Sequence, residues 1–161
     1  MLELVRSAEY GYTERQRLIS TLCEKYGFLK RKNIGRSCGG RDITAVKIGS
    51  AEEYSLIAAA FHGSERITST VLLMFVEELS RALSENGFLG SLNACRALNN
   101  KGVIFVPCVN PDGCDISLYG AKACGELSGA VNRLCMGDFK HWNANLRGVD
   151  INHNFNAGWQ E

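Results

Sequence analysis

The sequence predicts an α/β fold, because a buried strand, an amphipathic helix and a second buried strand follow one another along the chain. Residues 54–61 (YSLIAAAF) form a continuous apolar run, which is typical of a central strand buried on both faces. Residues 103–109 (VIFVPCV) form a second run of this kind. Between them, apolar residues recur at helical spacing, at Ile67, Val71, Leu72, Phe75, Val76, Leu79 and Leu83. This order predicts a right-handed crossover unit within one sheet.

The segments before this unit predict one helix and two short strands. Thr13 and Gln16 have the spacing of a capping box, and the apolar pattern after them predicts a helix that ends at Gly27. The residues around Ile34 and residues 43–48 alternate as expected of strands, and a glycine-rich turn separates them. We therefore expect a helix followed by a pair of strands.

The second half of the chain predicts little regular structure. Residues 110–113 (NPDG) have the composition of a tight turn at the end of the second buried strand. From Gly113 onward the chain is rich in Gly, Asn and Cys and shows little periodicity until the short alternating segment 148–155. A loop stretch of this length inside a compact domain is usually functional. We therefore expect binding or catalytic residues in this part of the chain.

Composition and charge narrow the classes of function. The 161 residues are 45% hydrophobic and 22% charged, which excludes a disordered, collagen-like or coiled-coil chain. A net charge of +1 offers no general field to steer the protein toward nucleic acid or an anionic membrane. No apolar run approaches the roughly 18 residues that a bilayer span needs. We expect no nucleic-acid partner and no membrane span, and the length allows one domain or one piece of a larger domain.

The cysteines and the N-terminal residues bear on the cellular compartment. The seven cysteines are odd in number and lack CxxC spacing, which argues against a disulfide framework and against a cysteine-rich zinc knuckle. Most of them are therefore expected to be reduced thiols. Glu3, Arg6 and Glu9 fall where a secretory signal would need an uninterrupted apolar stretch. These features predict a cytoplasmic protein.

Two potential metal ligands follow the first buried strand. His62 and Glu65 lie three residues apart at the carboxyl end of that strand, where ligand sites of open α/β sheets are found. An imidazole nitrogen and a carboxylate oxygen both suit Zn²⁺. A structural interpretation stays open at this point: Glu65 favours the start of the helix through the helix dipole, and His62 is a hydrogen-bonded residue at a strand end. The spacing alone does not decide between the two.

Further motifs give the chain a resemblance to a known family. Residues 62–65 (HGSE), 109–113 (VNPDG) and 145–155 (NLRGVDINHNF) occur in the order and setting seen in zinc carboxypeptidases of the carboxypeptidase A type, peptidase family M14. The turn 40–42 (GRD) is similar too. More narrowly, the VNPDGCDISLYG segment and residues 142–145 (WNAN) look like the bacterial γ-D-glutamyl-meso-diaminopimelate peptidase branch, which cleaves cell-wall muropeptides. These motifs together cover most of the chain.

The resemblance implies a fold and a cofactor. The fold is a mixed, mostly parallel sheet flanked by helices in an α/β/α arrangement, incomplete at the C-terminus, so that residues 1–161 are the N-terminal portion of a single peptidase domain. The cofactor is Zn²⁺, with His62 and Glu65 as two of its three protein ligands. Asp150 matches the aspartate that accepts a hydrogen bond from the ligand histidine and fixes its tautomer. The third ligand and the general base are expected downstream, and no catalytic base is expected within this chain.

The same resemblance assigns substrate contacts. Asn152 matches the asparagine of the pair that holds a substrate's terminal carboxylate, and Arg41 matches an arginine at an outer subsite. His153 and Asn143 stand at or near positions where carboxypeptidases have arginines, whose bidentate donors neither residue reproduces. This departure agrees with a D-configured, diaminopimelate-containing substrate. Arg147 is a candidate for a compensating charge.

The resulting hypothesis is a zinc-dependent metallopeptidase of the metallocarboxypeptidase type. It hydrolyses a peptide or γ-D-glutamyl-diamino-acid bond, with peptides or muropeptides of the cell wall as substrates, and this chain alone is expected to be inactive. The alternative is a catalytically incomplete protein or pseudoenzyme that binds muropeptides without turnover, and a generic α/β domain with coincidental motifs is a third possibility. A truncated sheet exposes an unpaired strand edge, so self-association is also predicted.

Overall fold

The computed structural model describes residues 10–157 and contains a four-stranded sheet and a small hairpin. The strands are β1 (Lys30–Arg36), β2 (Asp42–Gly49), β3 (Tyr54–Ala58), β4 (Phe88–Leu89), β5 (Leu92–Asn93) and β6 (Gly102–Val106). In the main sheet, β1 pairs antiparallel with β2, β2 antiparallel with β6, and β6 parallel with β3, while β4 and β5 form the hairpin. The predicted mixed sheet flanked by helices is confirmed, and two of the three pairings described here are antiparallel.

The structure confirms the helices predicted in the first half of the chain and adds helices in the second half, where none was predicted. They are α1 (Tyr12–Lys25), α2 (Arg66–Ser84), α3 (Ala94–Ala97), α4 (Pro111–Tyr119) and α5 (Ser128–Cys135). Two of them, α4 and α5, lie in the part of the chain that was predicted to be irregular, so that prediction is wrong. The first seven residues of α4 are all buried, and a helix buried all round shows no amphipathic period. Of the helices in residues 10–157, none combines the length and apolar character needed to cross a bilayer.

The start of α1 differs from the predicted capping box. Gly11 is the residue that precedes the helix, and its position has no side-chain cap, so the prediction for Thr13 is wrong. Instead, the backbone N–H of Tyr12 donates to Asp115 Oδ1 at 2.9 Å. A carboxylate from α4 therefore satisfies a free donor at the start of α1, which is the function that a local cap would otherwise perform.

The largest hydrophobic core joins α1 and α2 to the middle of the sheet. Its buried members include Leu18 and Leu22 from α1, Val46 from β2 and Leu73 from α2. Phe105 of β6 is completely buried at the centre of this cluster. A second, smaller cluster lies in the chain after α4 and contains Ile116, Cys124, Val131, Trp142 and Leu146. The turn between β3 and α2 lies close to the later segments of the chain, since the N–H of Gly63 donates to the carbonyl oxygen of Asn143.

Strand β3 lies at an edge of the sheet, which corrects the prediction that residues 54–61 form a central strand buried on both faces. Leu56 is 66% exposed, and the predicted apolar stripe of α2 is also partly exposed, at Ile67, Val71 and Phe75. A continuous apolar run indicates that a strand is buried, but it does not indicate which neighbouring elements cover it. Beside β3, these α2 residues line an apolar groove together with Ile57.

Candidate metal centre

His62 and Glu65 lie in the turn that joins β3 to α2. The 3₁₀ turn Gly63–Glu65 brings their side chains together, so that His62 Nδ1 lies 2.9 Å from Glu65 Oε1. The imidazole is largely covered, with 18% of its side chain exposed, whereas 49% of the Glu65 side chain is exposed. Two atoms of metal-ligating type therefore face each other at a point that solvent can reach.

Asp150 contacts the other nitrogen of the same imidazole. His62 Nε2 lies 3.3 Å from Asp150 Oδ1, across 88 residues of sequence. The same carboxylate oxygen accepts the backbone N–H groups of Asn152 at 3.0 Å and of His153 at 3.2 Å. Each ring nitrogen of His62 thus has a carboxylate partner, and the Asp150 carboxylate is itself fixed by the backbone of the following turn.

The electrostatics of these three groups favour positive charge at the imidazole. The hydrogen bond with Glu65, together with the charges of Glu65 and Asp150, raises the pKa of His62 above its ordinary value against the opposing effect of partial burial. Burial acts to raise the pKa of Asp150, but the N–H of His153 and the charge of His62 outweigh it and lower that pKa. The site therefore stabilises a proton or another cation between two carboxylates.

A buried asparagine holds the backbone that leads into the turn of residues 62–65. Asn110 is 1% exposed and precedes α4, where its Oδ1 accepts the N–H of Gly113 at 2.9 Å. Its Nδ2 donates to the carbonyl oxygens of Phe61 at 3.0 Å and of residues 143 and 144 at 3.2 and 3.1 Å. Because Phe61 immediately precedes His62, Asn110 connects the turn of residues 62–65, the candidate metal-ligand turn, to residues 110–113 and 143–144.

Gly63 lies where these segments approach one another most closely. Its N–H donates to the carbonyl oxygen of Asn143 at 3.1 Å. A Cβ at position 63 would lie 2.3 Å from the carbonyl oxygen of Gly113 and 2.4 Å from that of Trp142. The next residue, Ser64, donates its hydroxyl to Asn143 Oδ1. Only glycine fits between these carbonyls, so the turn is held by close backbone contact.

The two ligand atoms have a separation that fits one zinc ion. Ligand bonds of about 2.0–2.2 Å at a tetrahedral angle would separate a nitrogen and an oxygen by about 3.4 Å, so His62 Nδ1 and Glu65 Oε1 need to part by only about 0.5 Å. Within residues 10–157, no group of three or more His, Cys, Asp or Glu side chains could hold a metal ion. His141 belongs to a different turn, where it pairs with Asp138 at 2.7 Å and is 83% exposed.

Most of the predicted substrate-contact residues lie near this centre. Asn152 and His153 form part of the 3₁₀ turn Asn152–Asn154, and His153 Nδ1 lies 3.9 Å from Asp150 Oδ2. Asn143 is bonded to the metal-ligand turn through both its carbonyl and its side chain. Arg147 is exposed and lies between Asn143 and Asn152 in the sequence, and its backbone N–H donates to Asn145 Oδ1 at 2.8 Å.

Arg41 lies in a set of ion pairs with α4. Its Nη1 lies 2.6 Å from Asp112 Oδ1 and its Nε lies 3.1 Å from Asp115 Oδ2. The Asp112 side chain is fully buried and also accepts the hydroxyl of Ser37 and the N–H of Gly39, both at 2.8 Å. Two of the guanidinium nitrogens of Arg41 therefore bind carboxylates, and the residue ties the turn between β1 and β2 to α4.

Sequence reasoning missed the residues of the NPDG segment that organise the site. It treated residues 110–113 as a turn, whereas Asn110 caps α4 and Asp112 anchors Arg41. One signal was present: an asparagine followed by proline at the end of a strand is a helix start, because Pro favours the first helical position and Asn the cap. The contacts of Asn110 with Phe61 and with residues 143–144 had no signal in the local sequence.

Comparison with known proteins agrees with this architecture. Residues 16–161 match the family described as zinc carboxypeptidase, Peptidase_M14. An uncharacterized protein of Bacillus subtilis, YqgT, is 32% identical over 155 residues, which are 94% of this chain and 41% of the relative. The γ-D-glutamyl-L-diamino acid endopeptidase 1 of Lysinibacillus sphaericus is 30% identical over 156 residues, which are 94% of this chain and 39% of the relative. The chain thus spans about two fifths of the length of these relatives.

Solved structures support the fold independently of close sequence similarity. The carboxypeptidase A of Helicoverpa armigera superposes with a TM-score of 0.61 at 19% identity, over 86% of this chain and 30% of that chain. At this identity the likeness concerns the fold alone. The match to the family over residues 16–161 covers most of the chain. The chain belongs to the zinc carboxypeptidase family.

Proposed function

We propose that the protein is a zinc-dependent metallopeptidase of the carboxypeptidase type that acts on γ-D-glutamyl-diamino-acid or peptide bonds of cell-wall muropeptides. The observation that carries the proposal is the arrangement around His62, with Glu65 Oε1 at one ring nitrogen and Asp150 Oδ1 at the other. Similarity to a γ-D-glutamyl-L-diamino acid endopeptidase supports the substrate class. Membership of the zinc carboxypeptidase family supports the reaction type.

In this proposal each of the three side chains has a separate task. His62 binds zinc through Nδ1 and Glu65 through its carboxylate. Asp150 accepts the Nε2–H of His62, which holds the ring in the tautomer that leaves Nδ1 free to bind metal. When bound, zinc supplies a Lewis acid that polarises a scissile carbonyl and lowers the pKa of a bound water. The remaining exposed side of Glu65 leaves room for that water and the substrate.

The third zinc ligand and the general base are proposed to come from residues beyond 161 in the intact protein. The matched regions are only 41% and 39% of the full lengths of the two relatives. Residues 1–161 are then the N-terminal portion of a single peptidase domain, which contributes half of a metal centre. A site with two protein ligands binds zinc more weakly than the three-ligand catalytic sites of metallopeptidases.

The substrate contacts are proposed to surround the metal-ligand turn. Asn152 and His153 lie beside Asp150, and Asn143 lies beside Ser64, so all three could reach a substrate held at His62. His153 offers a single donor where an arginine would offer two, which disfavours an ordinary C-terminal carboxylate. Arg147 is proposed to supply the compensating charge. Because Nη1 and Nε of Arg41 pair with carboxylates, Arg41 is proposed to contact the substrate at an outer subsite through Nη2.

A second candidate function is muropeptide binding without hydrolysis. The observation that favours it is that Asn143, Asn152 and His153, the proposed substrate contacts near His62, are in place without a complete metal centre. The two functions differ in the fate of the substrate, and they share the same residues for binding it. Hydrolysis therefore decides between them, whereas zinc binding alone does not.

Zinc binding tests the proposed ligands directly. Titration calorimetry should detect zinc binding by the wild-type protein and none by His62→Ala. His141→Ala is the matched control, because His141 also pairs with an acidic residue three positions away but lies in a separate, exposed turn. Asp150→Asn should weaken zinc binding by about 10–100-fold, as expected when a carboxylate partner of a ligand histidine is lost. Equal affinities for the wild-type protein and His62→Ala would refute the site.

Substrate turnover tests the activity. The intact protein is incubated with a peptide containing the γ-D-glutamyl-meso-diaminopimelate bond and with an all-L peptide of the same length, and products are measured by mass spectrometry. Cleavage of the first peptide, lost on chelation of zinc, is the expected result. Binding of the same peptide without products would establish the binding module instead. Preferential cleavage of the all-L peptide would overturn the substrate class.

A further inference from the structure

A pair of cysteines lies close together beneath the metal-ligand turn. Cys108 follows β6 and Cys114 lies in the first turn of α4, with their Sγ atoms 3.7 Å apart. Both are buried, with exposed fractions of 6% and 0%, and both are free thiols. They form a small cluster with Ala60, which lies two residues before His62. The mechanism proposed above does not use either thiol.

A buried arginine with unpartnered nitrogens lies beside these thiols. Arg15 of α1 is 1% exposed, and its Nε donates to Ser69 Oγ at 3.2 Å. Its Nη1 and Nη2 are buried and have no hydrogen-bond partner among residues 10–157. A buried guanidinium without acceptors is costly, so this position calls for a nearby anion. Arg15 and Cys108 line the same narrow crevice.

The carboxylates that could compensate Arg15 are already committed elsewhere. Asp115 accepts the N–H of Tyr12 through Oδ1 and pairs with Arg41 through Oδ2. Burial raises the pKa of Asp115, which further limits the charge it offers to Arg15. Asp42, which also lines the crevice, pairs with Arg36 at 3.2 Å. The sulfur of Cys108 is the other group lining the crevice that could become an anion and compensate the guanidinium.

The two thiols differ in their tendency to ionise. Burial acts to raise the pKa of Cys108, but the hydrogen bond from Cys114 and the charge of Arg15 outweigh it and leave that pKa lowered. The same hydrogen bond and burial hold the pKa of Cys114 well above its usual value. Of the two thiols, Cys108 therefore ionises more readily, and Cys114 is its hydrogen-bonded neighbour. This division of roles matches an attacking and a resolving cysteine.

We propose that Cys108 and Cys114 are a reversible dithiol–disulfide site that is oxidised by hydroperoxides. The Cys108 sulfur attacks one peroxide oxygen, the O–O bond breaks, and the departing oxygen takes a proton and leaves as water when the oxidant is hydrogen peroxide. Cys108 is now a sulfenic acid. The Cys114 sulfur then attacks Cys108 Sγ, the S–O bond breaks, and hydroxide leaves with the proton of Cys114 as a second water. Two thiols and one peroxide thus give one disulfide and two waters.

Both steps require buried side chains to move. The Sγ atoms must approach from 3.7 Å to about 2.05 Å. Cys108 is 6% exposed and lines a crevice, together with Asp42 and Pro111, that holds no water-sized volume, so a peroxide enters only when the side chains at its mouth part. The disulfide would close a ring over residues 108–114 and so restrain Asn110, the residue that holds the backbone before His62.

The sequence permits a clean test. Trypsin releases residues 102–122 as one peptide that contains Cys108 and Cys114 and no other cysteine. The folded protein is treated with hydrogen peroxide, quenched, unfolded in N-ethylmaleimide and digested. We expect this peptide to carry no maleimide and to weigh two hydrogens less than the reduced peptide, and dithiothreitol to restore both thiols. In Cys114→Ser, dimedone should label Cys108, and in Cys108→Ser it should leave Cys114 unlabelled.

Two controls make the outcome decisive. Exposed Cys95 lies in the separate tryptic peptide 82–96 and reports that peroxide has acted. Cys38→Ser, a change at another exposed thiol, should leave the loss of two hydrogens intact. The proposal is overturned if peptide 102–122 keeps two maleimides after Cys95 is oxidised, or if Cys108 is found linked to another peptide. The measurement needs neither zinc nor substrate, so it stands or fails separately from the peptidase proposal.

Discussion

Replacement of Gly63 by alanine tests whether close backbone contact holds the metal-ligand turn. The added Cβ would lie 2.3 Å from the carbonyl oxygen of Gly113 and 2.4 Å from that of Trp142. Ordinary contact begins near 3.4 Å, so each carbonyl would have to move by about 1 Å, which side-chain rotation cannot supply. Both carbonyls belong to the backbone of packed segments.

The expected cost follows from these contacts. Overpacking costs about 1–3 kcal/mol, and two backbone collisions place Gly63→Ala at the upper end of that range. The lower entropy of the unfolded alanine chain offsets about 0.4–1 kcal/mol. We therefore expect the free energy of unfolding to fall by about 2–3 kcal/mol, and the Tm by roughly 4–12 °C for a chain of this size. Urea and thermal unfolding followed by circular dichroism would measure both.

Gly27→Ala provides the matched control for this substitution. A Cβ at Gly27 would meet nothing within 4 Å, and its φ lies outside the left-handed region. This variant should be as stable as the wild-type protein or slightly more stable. If Gly63→Ala were as stable as Gly27→Ala, the segments around the turn would have to be loosely packed, and the reasoning from close contact would be refuted.

Three further substitutions test other contacts. Asn110→Asp keeps the side-chain shape and the cap of α4, but it replaces the Nδ2 donor with an oxygen that faces carbonyl oxygens. Urea titration should show that the free energy of unfolding falls by about 2–4 kcal/mol. An unchanged free energy would contradict the contacts of the amide. Asp112→Asn removes the buried charge that pairs with Arg41 and should cost about 3 kcal/mol in the same assay, whereas an unchanged midpoint would show that the pair is not structural. Leu56→Lys places a charge beside the unpaired edge of β3, and sedimentation velocity should show less association than for the wild-type chain; identical profiles would exclude this edge.

The elements that the sequence predicted correctly are those with a strong local pattern. In helices α1 and α2, apolar residues recur every three or four positions, and strands β1 and β2 flank a glycine-rich turn. These signals depend on residues three or four positions apart. They report the type of an element and its approximate ends without reference to the rest of the chain.

The errors arise where the deciding partner is distant in sequence. The N-terminus of α1 uses Asp115 in place of a local cap, at a separation of 103 residues. The sequence pattern does not predict α4, because the helix is buried on all sides and therefore has no polar face. The exposed edge of β3 was predicted to be covered because its apolar run records the need for burial but not the strand order of the sheet.

The candidate site divides in the same way. The pairing of His62 with Glu65 follows from a spacing of three residues at a strand end, and the Nδ1 and Oε1 atoms lie 2.9 Å apart. The contact of His62 with Asp150 spans 88 residues and was anticipated only through the order of motifs in a related family. The part played by Asn110, which reaches Phe61 across 49 residues, was not anticipated at all.

The positions of these residues indicate what gives the centre its rigidity. Half of the Glu65 side chain is exposed, so hydrophobic packing does not hold it in place. Its position depends on the turn that begins at His62, and that turn is fixed by Asn110 and by the fit of Gly63 against neighbouring carbonyls. Zinc affinity should therefore fall in Gly63→Ala and Asn110→Asp, although neither residue is a proposed ligand. In both variants the two ligands are displaced, and the free energy needed to bring them together reduces the free energy of zinc binding. A centre held mainly by its ligands and the metal itself would keep its affinity in both variants.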